Sequence, residues 1–179
     1  MATSTSTPII GPDPSCWTGG VPGAALLARN LRLRPLVDKD AETLSHLGDD
    51  PDIAKQMAEL PSPFPPEAAR AAIARLDRGA TFNARGDSPA HAARAAAENR
   101  AFGFGIERIR DGALLGVIEL RRAETGGEIT LWLGRAFWGK GFATEALKRL
   151  ARFAFQDLRL GEVRARVLPA NAASARIFV

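Results

Sequence analysis

The stretch EITLWLGRAFWGKGFATEAL, residues 128–147, passes from an alternating apolar run into a helical one through two glycines and a lysine. Its first part, EITLWLG (128–134), has the two-residue period of a strand. Beyond Gly141 the apolar residues Ala143, Ala146, Leu147, Leu150, Ala154 and Leu158 fall at helical spacing. They predict a helix over about 141–157 with one buried stripe, widened by Phe153 and Phe155. Gly139, Lys140 and Gly141 stand at the mouth of that helix. A helix N-terminus exposes unpaired backbone N–H groups and carries partial positive charge. Glycines remove side chains, so an anion can approach that backbone closely. The run Gly139-Lys140-Gly141-Phe142-Ala143-Thr144 therefore suits a pyrophosphate. The plainer reading is that the glycines only make a tight strand-to-helix turn. The spacing is not that of the GxxxxGK[ST] loop. A GxGxxG dinucleotide fingerprint would need a parallel βαβ unit, whereas the strands upstream read as hairpins.

Working outward, AFGFGIERI (101–109), ALLGVIEL (113–120) and EITLWLG are three short apolar or alternating runs. RDG (110–112) and ETGG (124–127) separate them and mark turns between antiparallel strands. Further upstream, LRLRPL (31–36) alternates as a strand ended by Pro35. VDKDAETLSHL (37–47) carries its acids early, as a helix start does, and DDP (49–51) breaks it. PSPFPPEAARAAIARL predicts a helix over roughly 66–77, with Pro66 in its first turn. Residues 79–99 read as a loop or insertion with a short helix. Downstream, LGEVRARVL (160–168) reads as a strand, and NAASARIFV starts a last helix that Asn171 can cap. Residues 1–29, rich in Ser, Thr, Pro and Gly, read as a flexible arm, with one domain over 30–179. The order implies an α+β (mixed α/β) fold, a largely antiparallel sheet flanked by helices.

Composition narrows the function. The chain has 179 residues, 46% of them hydrophobic, enough for one domain with a sizeable core. No apolar run approaches the roughly 20 residues of a membrane span. Net charge is +4 with basic and acidic residues interspersed, so nucleic-acid binding, which needs a clustered basic stripe, is not expected. Cys16 is the only cysteine, which excludes an internal disulfide and fits a cytoplasmic protein. His46 and His91 are the only histidines and lie far from the glycine turn, so no metal site is expected.

GVIELRRAE (116–124), FWGKGFATEAL (137–147) and VLPANAASARIF (167–178) together resemble the GNAT superfamily of N-acetyltransferases. The similar branch is that of the ribosomal-protein-alanine N-acetyltransferases. The resemblance covers about Leu31 to Val179. It implies acetyl-CoA as co-substrate, with its pyrophosphate on the amides of Gly139, Lys140, Gly141, Phe142, Ala143 and Thr144. It implies that Leu131, Trp132 and Leu133 lie on a splayed strand whose backbone pairs with the pantetheine arm, like an added β-strand. The plainer reading makes Leu131 and Leu133 core and packs Trp132 on the other face. Asn171 aligns with an Asn that bonds near the pantetheine. Ser174 aligns with a position proposed to protonate the departing thiolate. The chain has no Tyr, so the Tyr that often does this elsewhere in the superfamily is not available.

Acetyl transfer to an amine needs a base, commonly a carboxylate acting through water. Glu119 is the first candidate, an acid alternating with Leu115 and Val117 on a central strand. The plainer alternative pairs it with Arg121 or another surface arginine. Glu107 is the second candidate. Glu145 reads as a helix-surface partner of Lys148 and Arg149. The family's last hairpin, which closes one wall of the acceptor site, is expected to be missing after ARIFV. That would leave a bare sheet edge, which a homodimer would cover. Two functions follow: an N-acetyltransferase acting on a primary amine, either a protein N-terminus or a small molecule, or a non-catalytic, degenerate acyl-CoA-binding domain.

Overall fold

The computed structural model describes residues 5–8, 25–57, 60–80, 101–123 and 126–167. Alternating apolar residues set the strands, and their pairing makes one sheet. Among the described residues these are β1 (Thr5–Pro8), β2 (Leu26–Leu27), β3 (Leu31–Arg34), β4 (Ala101–Arg108), β5 (Leu114–Ala123), β6 (Gly126–Leu133) and β7 (Val163–Val167). Their order across the sheet is β1-β7-β6-β5-β4-β3-β2. Every pairing is antiparallel except β6 with β7, which is parallel. The helices are α1 (Ala41–Gly48), α2 (Pro51–Gln56), α3 (Pro66–Ala80) and α4 (Phe142–Arg152). The α+β expectation holds. The parallel pair is the exception, because α4 carries the chain across the sheet between β6 and β7.

The two-residue period sorts the side chains onto two faces. On one face Leu31, Leu33, Phe104, Ile106, Ile118 and Leu120 pack under the stripe of α4, with Leu147 and Leu150 both buried. A wider π-type turn, Phe153–Asp157, ends that helix and drives Phe153 edge-on against Phe102 and Phe104. On the other face Val117 and Trp132 pack under α1, α2 and α3 through Leu44, Ile53, Ile73 and Leu76. The plainer reading of LWL is met as packing: Leu133 is in the first cluster and Trp132 in the second.

Three expectations change. Within the stretch read as an arm, Thr5–Pro8 is a strand along β7 and Leu26–Leu27 a strand along β3. Both are edge pairings too short for a periodic signal. DDP does not merely end a helix: Asp50 accepts the N–H of Asp52 at 2.8 Å and Pro51 opens α2, so the triplet is the cap of a second helix. Glu145 does not pair along its own helix. It takes the backbone and side-chain amides of Asn30, fastening the β2–β3 turn to α4. Most of the 79–99 segment and the last helix lie outside the described residues.

Candidate active site

The parallel pairing of β6 with β7 runs only from Gly127↔Val163 to Ile129↔Ala165. Among the described residues the two strands do not pair beyond Ile129. The N–H of Gly127 donates to Glu162 on the β7 side at 3.0 Å. Backbone direction alternates along a strand, so Leu131 and Leu133 also turn their peptide groups to that side. The N–H and C=O of Leu131 and the N–H of Leu133 thus face the gap. The carbonyl of Leu133 is already engaged, accepting the indole Nε1–H of Trp138 at 2.7 Å. On its other side β6 is fully paired to β5, as close as Gly116, where an added Cβ would stand 2.2 Å from the Trp132 carbonyl oxygen.

The gap opens onto the glycine turn. Gly139 and Gly141 have φ of +70° and +79°, a left-handed conformation that side chains resist. A Cβ at either would meet no atom within 4 Å, so both backbones border open space. The first intrahelical bond of α4 runs from Glu145 N–H to the Gly141 carbonyl. The N–H groups of Phe142, Ala143 and Thr144 precede it, and no side chain caps them. Lys140 folds back and donates from Nζ to the Ala136 carbonyl at 2.7 Å. Arg108 lies over the rings of Phe137 and Phe142, which flank the turn, and bonds Asp111 at 2.7 and 2.8 Å. Those bonds hold the Asp111 carboxyl down at about 2.

Across the sheet lies a cavity of about 140 Å³ between α1, α3 and strands β5 and β6. Leu44, Phe64, Ile73 and Trp132 wall it, with Phe64 edge-on to Trp132 at 6.4 Å. Its polar lining is Arg75, Glu119 and Thr130. Thr130 is the cross-strand partner of Glu119 and the first residue beyond the end of the parallel pairing. The polar end of the cavity and the apex of the gap therefore meet at one level of the sheet. Glu119 is 5% exposed. Arg75 donates to it in parallel, Nη1 to Oε1 and Nη2 to Oε2, both at 3.1 Å, and Arg121 donates at 3.2 Å.

Glu107 is excluded from this cavity. Its carboxylate is held by Arg32 and Arg34, and Arg34 continues to Asp40 at 2.7 and 2.9 Å. Burial pushes the Glu107 carboxyl up, but the hydrogen bonds and charges of the two arginines outweigh it and leave it below the ordinary value. It is an ion-network residue.

A strand that leaves its parallel neighbour, uncapped amides at a glycine turn, and a buried carboxylate behind the apex make up the candidate site. An acetyltransferase (GNAT) domain model matches residues 30–179. The chain belongs to the GNAT acetyltransferase family. A probable N-acetyltransferase, YjcK of Bacillus subtilis (strain 168), is 34% identical over 79 residues, 42% of this chain and 44% of that one. The chain matches less than half the length of the curated relatives, 30% and 44%. Among solved structures, a GNAT-family acetyltransferase from Bacillus anthracis has a TM-score of 0.66 at 22% identity, covering 86% of this chain and 79% of that one. Mycobacterium smegmatis RimJ in complex with CoA-disulfide has 0.64 at 21%, covering 87% and 70%. These two likenesses concern the fold.

Within this GNAT domain the structure brings together Leu131, Leu133 and the turn Gly139–Thr144 on one side of the sheet and Glu119 on the other. Trp132 turns its side chain into the cavity, away from the gap. Asn171 and Ser174 lie outside the described residues. Two residues that touch Leu133 and Glu119 escaped the sequence. Trp138 closes the Leu133 carbonyl across a turn, and Arg75 reaches Glu119 from 44 positions away. The repeated arginines of α3 gave no signal to single out Arg75.

Proposed function

We propose that the chain is an acetyl-CoA-dependent N-acetyltransferase whose acceptor is a primary amine. The observation that carries the reading is the meeting of the β6–β7 gap and the Glu119 cavity at Thr130. The residues fit the co-substrate. Leu131 offers an N–H and a C=O, and Leu133 an N–H, to a pantetheine arm laid along β6. The amides of Phe142, Ala143 and Thr144, with the helix's positive end, suit a pyrophosphate. The open space beside Gly139 and Gly141 leaves room for it.

In this reading the cavity holds the amine and the gap holds the thioester, so the two approach from opposite faces of the sheet. Glu119 takes a proton from the acceptor ammonium, directly or through one water. The freed nitrogen lone pair attacks the carbonyl carbon. A C–N bond forms, the C–S bond breaks, and the sulfur leaves with its electron pair. Ser174 is our candidate to protonate the sulfur, recovering its proton from the one the nitrogen sheds as the amide forms, and Asn171 to bond the pantetheine. The acceptor in this reading is a protein N-terminal amine or a small molecule; one structural neighbour is named a ribosomal-protein-S5-alanine acetyltransferase. The single cysteine favours action in the cytoplasm. No helix among the described residues is long and apolar enough to cross a membrane.

Calorimetry with acetyl-CoA tests the reading, followed by release of free thiol on addition of amines. Binding that Gly141→Glu abolishes, with turnover that Glu119→Gln abolishes, is the expected pair of results. Binding without turnover on any amine would favour the non-catalytic acyl-CoA-binding alternative.

A further inference from the structure

We propose that the acceptor is a zwitterion, a free α-amino acid with an apolar side chain, and that Arg75 selects it by its carboxylate. The inference rests on the reading of the cavity as the acceptor site of an acetyltransferase.

The cavity is apolar except at one end. At about 140 Å³ it suits one small side chain with its backbone atoms. Leu44, Phe64, Ile73 and Trp132 offer it no charge and no carboxylate. At the polar end two guanidiniums face one carboxylate, a local excess of one positive charge. An acceptor that brings only an ammonium raises that excess to two. An acceptor that brings an ammonium and a carboxylate leaves it unchanged.

The geometry of the exchange points the same way. Oε1 already accepts from both arginines and Oε2 from Arg75, so an ammonium that takes Glu119 as its main partner competes with a guanidinium. Arg121 bonds one oxygen through a single nitrogen, whereas Arg75 occupies both oxygens. Arg75 lines the cavity and its side chain is 46% exposed, so it can swing without disturbing the core. Once displaced, its planar fork is free beside the bound amine. A carboxylate on the same carbon as that amine receives it in the bidentate geometry that arginine favours. One ion pair is thereby replaced by two. A polypeptide N-terminus carries an amide at that position, which accepts one bond and no charge.

The test measures free-thiol release by the full chain with acetyl-CoA and each of three acceptors: L-leucine, L-leucinamide and a leucine-initiated hexapeptide. The same series is run on Arg75→Gln, with acetyl-CoA binding and circular dichroism as controls on its fold. The expected result is a kcat/KM for leucine at least tenfold above that for leucinamide and for the peptide. Arg75→Gln should raise KM for leucine at least tenfold more than KM for leucinamide, with acetyl-CoA affinity unchanged. Leucinamide or the peptide turned over as well as leucine overturns the inference and leaves acetyl transfer standing. So does an Arg75→Gln variant that slows all three acceptors alike. Thiol release with none of the three, from a folded chain that binds acetyl-CoA, overturns the inference, whereas the acetyl-transfer reading falls only when no amine of a wider set is turned over.

Discussion

Glu119 is buried and doubly paired, yet its partners lie at the surface. The side chains of Arg75 and Arg121 are 46% and 48% exposed. Water therefore compensates both when the carboxylate is lost, and Glu119→Gln should cost at most about 1 kcal/mol of stability. In its proposed role as base its loss is severe: kcat should fall by about 10²- to 10⁴-fold, with acetyl-CoA affinity unchanged. Thiol-release kinetics beside a denaturant titration separate the two effects, and a variant that unfolds in proportion to its lost rate would contradict the assignment. Gly141 shows the opposite balance. An alanine there clashes with nothing but must hold φ near +79°, a strain of about 1–2 kcal/mol. Gly141→Ala and Gly141→Glu should lose similar stability in thermal melts, while the glutamate alone abolishes acetyl-CoA binding through its charge. Both positions were legible in the sequence, since an acid amid apolar residues and glycines before a helix are local signals. Arg75 was not, because its importance comes from a partner on another element.

Elements were legible in proportion to their length and period. The strands β3, β4, β5 and β6 and the stripe of α4 each repeat often enough to declare a buried face. The two residues of β2 cannot, and β1 is a polar TSTP whose strand form comes from pairing with β7. Asp50-Pro51 was ambiguous because one dipeptide both stops a helix and starts the next. Glu145 has basic residues at helical spacing, but a partner 115 positions away takes both its oxygens. The stripe also shows how α4 holds the site: its N-terminal turn faces the gap because its buried side is pinned to the sheet. Leu150 is fully buried at the centre of that side. Leu150→Ala should destabilise the domain by about 3 kcal/mol through lost burial and a cavity. A urea titration measures the loss. Acetyl-CoA affinity at low temperature, where the variant stays folded, should change little, because the turn's amides are left in place.

Over the whole molecule, pH reports on the network that joins β3, β4 and the entry to α1. Asp40 and Glu107 are each 6% exposed, and both bind Arg34. In each, burial pushes the carboxyl up, and the arginine hydrogen bonds and charges bring it below its ordinary value. The folded state therefore binds fewer protons here than the unfolded chain. The network's contribution is complete above the ordinary values of 3.8 and 4.5 and is lost as pH falls through the lower folded ones. Both carboxyls share Arg34, so their protonation belongs to the pair rather than to either residue. Asp157 runs the other way, since burial lifts its carboxyl and acid relieves it, but its exposed side chain keeps that effect small. Acid should thus weaken the wild type below about pH 4.5. Replacing both groups, Asp40→Asn with Glu107→Gln, strands the mostly buried Arg34 guanidinium, while the half-exposed Arg32 keeps water, and should cost about 3 kcal/mol at neutral pH. As pH falls below the ordinary carboxyl values that difference should shrink, because the wild type progressively loses the network's contribution. Denaturant titrations of the two chains at pH 7 and pH 3 decide it. A gap that stays constant with pH would mean the network stabilises by shape and neutral hydrogen bonds, and the arginines would then need another anion to account for their burial.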